Sequence, residues 1–412
     1  MISGKAPCGV LYAVRRSSSA VGYCALSTRC GTRSEDGFRL GTAHFAEHTV
    51  FKGTSRKSAR VIGSYLDRLG GELNAFTTKE EIVLHATVLK EDLSKASGLL
   101  LELATCATFP EGEVETERGV VVDEIYASKD TPADDIYDRF EEMAFRGHPL
   151  GRPILGTAES VRKISTDELR RFVSGRFRPE AMAFTLVADE NERKMEKAVR
   201  RMLDKFFPGH VAGDPVAGVA PVAVPLDYKA FDAVHKQRNH EANAVIGNLA
   251  PSLYDGDERV VAVLLSNILA GPASNSVLGE ALREKNGWVY GVESSYTPYA
   301  DTGIFVVSLG CEKANLDLCL EETDRQVRKM QQTCMSEPKL RAAKKQLLGQ
   351  MAIASDNGEA QCLSMGKSLL AYGTIDSDAA VRSKVGAVTA ESLREMACRI
   401  FDPSTLSRLV YL

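Results

Sequence analysis

The feature that most constrains this chain is a pair of histidines four residues apart, His44 and His48, with Glu47 between them. On an α-helix, residues four apart lie on one face, and the residue three positions along lies beside them. The two imidazoles can therefore bind one metal ion, with the Glu47 carboxylate within reach of a water molecule on that ion. Neutral imidazole suits zinc, and a catalytic zinc ion takes three protein ligands and leaves the fourth position to water. The order H-x-x-E-H thus predicts a helix here that carries a metal site.

A helical histidine is more often a core or surface residue than a metal ligand, so this interpretation needs a third ligand. Residues 113–125 (EVETERGVVVDEI) are predicted to form a second helix. Glu117 and Glu124 are seven residues apart, which is two helical turns, so both lie on the same face. Such a helix can supply one ligand and one carboxylate that orients a ligand. Without the upstream histidines, the same two glutamates would be interpreted as a solvated acidic face.

With these residues the chain resembles the M16 metallopeptidases, the family of pitrilysin, insulin-degrading enzyme and mitochondrial processing peptidase. It is most similar to the short branch of that family, and the spacing of 76 residues between His48 and Glu124 is similar to the family spacing. The resemblance implies that His44, His48 and Glu124 bind one Zn²⁺ per chain. It also implies that Glu47 is the general base and that Glu117 supports the ligands.

The segment Asn74-Ala75-Phe76-Thr77 resembles the edge strand that lies beside the zinc in that family. There a substrate peptide adds as a further strand through main-chain hydrogen bonds, a mode that tolerates many sequences. The residues alone also fit a simple hairpin arm and do not decide between the two. The resemblance implies that Asn74, Ala75 and Phe76 contact the substrate.

Two further segments carry the resemblance. Arg283 and Tyr290 are seven residues apart, as in the arginine-tyrosine segment of the family. The resemblance implies that they donate hydrogen bonds to the substrate backbone and to the oxyanion. Without the resemblance, Arg283 would be interpreted as a charged residue on a helix surface and Tyr290 as an aromatic residue on a strand. His148 opens a run, HPLGRPILGT, that also matches the family, and we expect it to anchor a loop because a catalytic zinc ion needs its fourth position open.

The length of 412 residues predicts two domains. We expect an α+β fold of two homologous domains, each an antiparallel-rich sheet packed by helices, which together make half of an M16-type clamshell. The predicted boundaries are 1–206 for a catalytic domain, 207–225 for a linker rich in Gly, Pro, Ala and Val, and 226–412 for an inactive copy. In that copy, residues 274–280 are predicted to stand where the metal helix stood. Within the domains, helices are predicted over 58–69, 360–370 and 390–401, among others.

Composition excludes several classes of protein. A net charge of −4 without a run of Lys or Arg gives no basis for nucleic-acid binding. No apolar run reaches the roughly 18 residues that span a bilayer, so no membrane segment is expected. The nine cysteines form no C-x-x-C pair, and the N-terminus has no apolar signal region. We therefore expect reduced thiols and a cytoplasmic protein.

The function expected from the resemblance is zinc-dependent hydrolysis of internal peptide bonds, in peptides or unfolded segments held in an enclosed chamber. Because the chain corresponds to one half of the long family members, we expect a homodimer or a pairing with a related M16 subunit. The alternative is a non-catalytic or partner-dependent subunit of a heterodimeric peptidase.

Overall fold

The computed structural model describes residues 1–211, 224–236 and 241–412. The strands in these residues are β1 (Ile2–Lys5), β2 (Leu11–Arg16), β3 (Val21–Thr28), β4 (Glu72–Thr77), β5 (Ile82–Leu89), β6 (Met182–Ala188), β7 (Asp232–His235), β8 (Glu241–Ala250), β9 (Val289–Pro298), β10 (Gly303–Glu312) and β11 (Ser407–Tyr411). The α-helices are α1 (Thr42–Thr49), α2 (Ala59–Gly63), α3 (Leu93–Cys106), α4 (Glu111–Lys129), α5 (Pro132–Ala144), α6 (Ala158–Lys163), α7 (Thr166–Arg176), α8 (Glu192–Phe206), α9 (Gly256–Ala270), α10 (Leu316–Gln332), α11 (Glu337–Ala354), α12 (Gly358–Tyr372), α13 (Asp378–Ala387) and α14 (Ala390–Ile400).

These elements form two compact units. Among the described residues, the first unit comprises 1–127, 152–211 and 353–375, and the second unit comprises the remainder. The first unit contains a six-stranded sheet in the order β1-β2-β6-β3-β5-β4. Only β2 and β6 pair in parallel in this sheet, so it is antiparallel-rich as expected. Strand β6 is central and fully buried, whereas β4 alternates in exposure and forms one edge.

The second unit contains a five-stranded sheet in the order β7-β11-β8-β10-β9, in which only β7 and β11 pair in parallel. Each strand from β7 to β11 thus has the neighbours and directions of the corresponding strand from β2 to β6. The helices repeat as well, because five α-helices separate β5 from β6 (α3 to α7) and five separate β10 from β11 (α10 to α14). The predicted fold class, two homologous sheet-and-helix domains, is confirmed.

The compact units do not follow the predicted linear boundaries. Helix α12 belongs to the first unit, where Cys362, Met365 and Leu369 pack on Ala25 and Val83 of the sheet. Its counterpart in the repeat, α5, belongs to the second unit. There Ile136, Phe140 and Ala144 share a core with residues of β8, β10 and β11. Each half of the chain therefore supplies one helix to the unit formed mainly by the other half.

The structure corrects one local prediction. The predicted helix over 58–69 is wrong as a single helix, because α2 ends at Gly63 and a 3₁₀ turn, Asp67–Leu69, follows it. Gly70 ends that turn with a φ of 66°, as a glycine stop signal predicts.

Most of the predicted linker lies outside the described residues. Among the described helices, none has the length and apolar character required to cross a membrane.

Candidate metal centre

Helix α1 carries the two histidines, and its start is held by a buried carboxyl group. Glu35 accepts hydrogen bonds from the backbone N–H groups of Gly41 (3.2 Å) and Ala43 (2.8 Å), which otherwise lack partners at a helix start. Gly41 adopts a φ of 84° and lies against Gly156, where an added Cβ would stand 2.6 Å from the Gly41 Cα. Only glycines fit this approach, so the position of α1 is fixed at its first turn.

The structure brings His44, His48 and Glu124 together. One ligand atom from each lies within 4.8 Å of the others. The Nε2 atom of His44 is 3.8 Å from Glu124 Oε1, and that of His48 is 3.5 Å from Glu124 Oε2. Both imidazoles therefore present the same ring nitrogen to the two oxygens of one carboxylate. The predicted helices at 44–48 and 113–125 exist as α1 and α4.

Glu117 contacts His48 on the side away from Glu124. Its Oε1 atom is 2.9 Å from His48 Nδ1, and its Oε2 atom is 2.5 Å from the Lys52 Nζ. The Glu117 carboxylate thus bridges His48 Nδ1, which faces away from the cluster, and the Lys52 ammonium group. Such a carboxylate fixes the orientation and tautomer of a ligating histidine.

The residues present fit a zinc ion. The distances of 3.5 and 3.8 Å are at or beyond hydrogen-bond length, but they suit donors that each lie about 2 Å from a common ion. His44 Nδ1 is buried and has no hydrogen-bond partner among the described residues, so this ring lacks the support that Glu117 gives to His48. Two imidazoles and one carboxylate are also the donor set of many catalytic zinc sites.

The pKa values of the two imidazoles are shifted in opposite directions from their ordinary value. Burial, together with the neighbouring His48, lowers the pKa of His44 to about 4. Burial also disfavours a charge on His48, but the neighbouring carboxylates of Glu124 and Glu117 outweigh burial and raise the pKa of His48 to about 9. The proximity of His48 in turn lowers the pKa of Glu124.

Glu47 lies beside this cluster with one identified hydrogen bond, accepted from the Thr77 hydroxyl at 3.2 Å. Its side chain is buried, and burial raises the pKa of the Glu47 carboxyl above its ordinary value. Raising a carboxyl pKa toward neutrality is the usual way to make it an effective proton acceptor.

Strand β4 is the edge strand that the sequence predicts, and its Thr77 contact with Glu47 places it beside the cluster. Along a strand, successive side chains point to opposite faces. Ala75 therefore shares the face of Thr77, whereas Asn74 and Phe76 lie on the opposite face, where Phe76 contacts the His85 ring. Of the three predicted substrate-binding residues on β4, only Ala75 has its side chain on the metal face.

The remaining predicted residues belong to the second unit. Arg283 is exposed on a π-helical turn, Gly279–Glu284, and Tyr290 is 57% exposed on the edge strand β9. His148 is buried, and its Nδ1 accepts a hydrogen bond from the Leu150 N–H at 3.2 Å, which suits the expected loop-anchoring role.

The described part of the second unit has no equivalent of the metal cluster at the repeated position. The helix that follows β8, as α1 follows β3, is α9, which contains no histidine. Residues 274–280, predicted to be the counterpart of the metal helix, instead lie after α9, so that placement is corrected. The counterpart of α4 is α11, which has no carboxylate after Glu337.

Sequence reasoning missed three residues that support the site: Lys52, Thr77 and Glu35. Lys52 lies four residues after His48, and this spacing places two side chains on one helical face. The proximity of Lys52 to His48 could therefore have been inferred. Thr77 follows Phe76 in the N-A-F-T segment, so its side chain lies on the opposite face of the strand from the Phe76 side chain. Glu35 lies in the turn that leads into α1, but its contacts with backbone N–H groups six and eight residues further on follow from no side-chain spacing.

Comparisons with known proteins agree on one family. The model of Insulinase (Peptidase family M16) matches residues 11–158, and the model of the Peptidase M16 inactive domain matches residues 163–347. An uncharacterized zinc protease of Streptomyces coelicolor is 31% identical over 89% of this chain and 80% of its own length. The uncharacterized zinc protease YmxG of Bacillus subtilis is 27% identical over 90% of this chain and 88% of its own.

Solved structures share the fold. A protease from Helicobacter pylori superposes with a TM-score of 0.87 at 19% identity, covering 100% of this chain and 98% of that one. A protein from Pseudomonas fluorescens, described as a peptidase M16 inactive domain, superposes with a TM-score of 0.88 at 17% identity, covering 100% and 97%.

Proposed function

Because the chain belongs to the insulinase family of M16 peptidases, we propose that it is a zinc-dependent endopeptidase that hydrolyses peptides or unfolded segments. The observation that carries this proposal is the convergence of His44, His48 and Glu124, with the Glu47 carboxylate beside them. His44, His48 and Glu124 would hold one zinc ion. A bound zinc ion supplies Lewis acidity, which lowers the pKa of water and polarises a carbonyl oxygen.

Glu47 is the general base in this proposal. Its carboxylate accepts the proton of the attacking water and then delivers a proton to the departing amine. The Thr77 hydroxyl donates to one Glu47 oxygen, which holds the carboxylate in one orientation. Glu117 orients His48 through its Nδ1 atom and so keeps the Nε2 atom directed at the cluster.

The substrate binds as an additional strand on β4. The outer edge of β4 pairs with no strand among the described residues, so its N–H and C=O groups are available to an extended peptide. Asn74, Ala75 and Phe76 would contact that peptide. Because main-chain hydrogen bonds supply most of the contact, the enzyme accepts many sequences.

Arg283 and Tyr290 complete the site by donating hydrogen bonds to the substrate backbone and the oxyanion. Both are exposed on the second unit, as this role requires. We infer a homodimer in which the zinc cluster of one protomer faces Arg283 and Tyr290 of the partner subunit. A related M16 subunit could occupy the same position, and the enclosed chamber would restrict substrates to chains that fit inside it.

A partner-dependent, non-catalytic subunit is the second candidate. The match of residues 163–347 to an inactive domain, together with the absence of a metal cluster from the described part of the second unit, favours it. The intact set of His44, His48, Glu124 and Glu47 favours the catalytic function.

The test is cleavage of a quenched fluorogenic peptide library by purified protein. The library is assayed with protein as isolated, after chelation, and after zinc is added back. We expect cleavage to be lost on chelation and restored by zinc. Protein that binds one zinc ion per chain and cleaves nothing would support the partner-dependent candidate instead.

A further inference from the structure

A groove in the first unit lies outside the metal cluster. It is formed where α7 and the end of α8 meet the segment between α3 and α4, and its volume is about 460 Å³. This volume falls within the range of roughly 300–1,000 Å³ that is typical of small-molecule sites. All the residues that line the groove belong to the first unit, and none of them belongs to the metal cluster or to β4.

Four phenylalanines line this groove. Phe109 and Phe177 are buried, whereas Phe206 and Phe207 are half-buried. Phe109 also adopts a φ of 52°, in the left-handed region that bulky residues rarely enter. Strained positions of this kind occur preferentially at active sites and ligand clamps. The lining therefore suits a ligand with a large apolar surface.

The polar side chains of the lining already have partners. The Thr105 and Ser174 hydroxyls each donate to a carbonyl oxygen of their own helix, at 2.7 and 3.3 Å. The Arg170 guanidinium donates to the carbonyl oxygen of Phe109 at 3.2 Å, and the His210 ring lies 2.6 Å from a carboxylate oxygen. A peptide main chain would find few hydrogen-bond partners in this lining, whereas a hydrocarbon chain needs none.

Two cations lie at the same ring of the groove. The Arg56 guanidinium and the Lys205 Nζ atom are each 5.8 Å from the centre of the Phe206 ring, within the range of a cation–π contact. Arg56 follows Thr54, which forms a β-bridge with the lining residue Ala107. Both cationic residues are exposed, and neither forms an ion pair with a described residue. An anion at the Phe206 ring would therefore be attracted by both without displacing a partner.

We propose that this groove binds a long-chain carboxylate, with its hydrocarbon chain on the phenylalanines and its carboxylate beside Arg56 and Lys205. Burial of the chain supplies most of the affinity, and the two cations determine which end of the ligand faces solvent. A groove of this volume suits one chain, whereas a membrane phospholipid carries two, so the ligand is the free acid. The site is independent of the proposed peptidase activity.

The test is isothermal titration of the full chain with dodecanoate, kept below its micelle concentration. We expect saturable binding of one dodecanoate per chain, weakened by added salt. Decanoate should bind roughly ten-fold more weakly, because two fewer CH₂ groups are buried. Dodecyltrimethylammonium has the same chain with the opposite charge, and it should bind at least about ten-fold more weakly because both cations repel it.

Variants locate the site. Ser174 is an exposed residue of α7 that lines the groove, so Ser174→Trp should fill the groove without disturbing the core. We expect it to reduce dodecanoate affinity about ten-fold or more, and Ser174→Ala is its matched control. Lys205→Met and Arg56→Met should each weaken binding by roughly two- to five-fold, the range of one exposed ion pair. Arg193→Met, at an exposed position of α8 outside the groove, should change nothing.

Thermal unfolding without ligand shows whether each variant has folded, and Ser174→Phe replaces Ser174→Trp if the latter has not. Three results would each overturn the proposal: no saturable binding by wild type, equal affinity for the two ligands of opposite charge, or wild-type affinity in a folded Ser174→Trp. Sedimentation with phosphatidylglycerol vesicles is the last arm. Vesicle binding without dodecanoate binding would identify a surface for lipid headgroups and would also overturn the proposal.

Discussion

At the residue scale, the two histidines of α1 differ because only one of them has a carboxylate on its outer nitrogen. Glu117 holds His48 Nδ1, whereas His44 Nδ1 has no partner among the described residues. The pairing of His44 with His48 was predictable from helical spacing, whereas the choice of Glu124 as the third ligand was implied only by the family resemblance. The ion pair of Glu117 with Lys52 was not predictable, because it depends on how α1 and α4 pack.

Lys52 is expected to act as a positioning residue for zinc. Its ammonium lies 2.5 Å from Glu117, so its removal leaves that carboxylate free to turn away from His48. Lys52→Met should weaken zinc binding by roughly 10-fold, at the lower end of the effects known for such supporting groups. Lys52→Arg should keep most of the affinity. Competition with a chromophoric chelator measures the zinc dissociation constant.

A matched control for Lys52 is available in the same unit. Lys57 forms an ion pair with Glu102, also at 2.5 Å, without contact to the cluster. Lys57→Met should leave the zinc affinity unchanged, whatever it does to stability. Equal zinc affinities of Lys52→Met and wild type would contradict the positioning role.

At the element scale, helix α1 depends on a cap that the sequence does not signal. Burial raises the pKa of Glu35 to about 8, although the N–H groups of Gly41 and Ala43 and the cations of Arg152 and Lys79 favour its charged form. A carboxyl whose pKa is higher in the folded protein stabilises the fold fully below its ordinary pKa. That contribution is lost as the pH rises toward and through 8.

Glu35→Gln is therefore expected to change the pH dependence of stability. Between about pH 5 and 8, the free energy of unfolding of wild type should fall relative to Glu35→Gln by up to about 1 kcal/mol per pH unit. Urea unfolding of both proteins at several pH values, with a chelator present throughout, measures this difference. A difference that stays constant with pH would show that Glu35 is ionised in the folded protein over the whole range.

Most individual elements were predictable from periodicity, and the exceptions have physical causes. The short apolar runs at 21–28, 82–88 and 242–249 predict strands, and β3, β5 and β8 lie within one or two residues of these ranges because buried strands form such runs. Helix α8 was missed although Asn191 caps it and Met195, Val199 and Leu203 form a buried stripe. Helix α13 has a weaker signal, with Val385 as its only buried residue among those described.

At the scale of the whole molecule, the chain is a repeat in which each half supplies a helix to the other unit. Periodicity predicts that α5 and α12 exist and have an apolar face. It does not predict which sheet that face covers, because both sheets offer similar apolar surfaces. The repeat itself was predictable, and the exchange of α5 and α12 was not.

The proposed homodimer predicts complementation between two inactive variants. Glu47→Gln lacks the base, and Arg283→Ala lacks the oxyanion donor, so each alone should be nearly inactive. In a mixed dimer one site combines an intact Glu47 with the intact Arg283 of the partner subunit. Statistical mixing should then restore about a quarter of the wild-type activity, because half of the dimers are mixed and each has one complete site.

Activity is measured after the two variants are unfolded and refolded together, with each variant refolded alone as the control. Absence of any recovery, combined with a monomeric mass in solution, would contradict the dimeric site. It would leave the zinc cluster and its base unaffected.

The most direct test of the central claim is peptide turnover by zinc-loaded Glu47→Gln compared with zinc-loaded wild type. The account predicts that the variant keeps one zinc ion per chain and loses roughly 100-fold or more in kcat, because the ligands are intact and only the proton acceptor is removed. Equal turnover by the two proteins would contradict the assignment of Glu47. Zinc-loaded wild type that cleaves no peptide would contradict the claim that this chain alone is a peptidase.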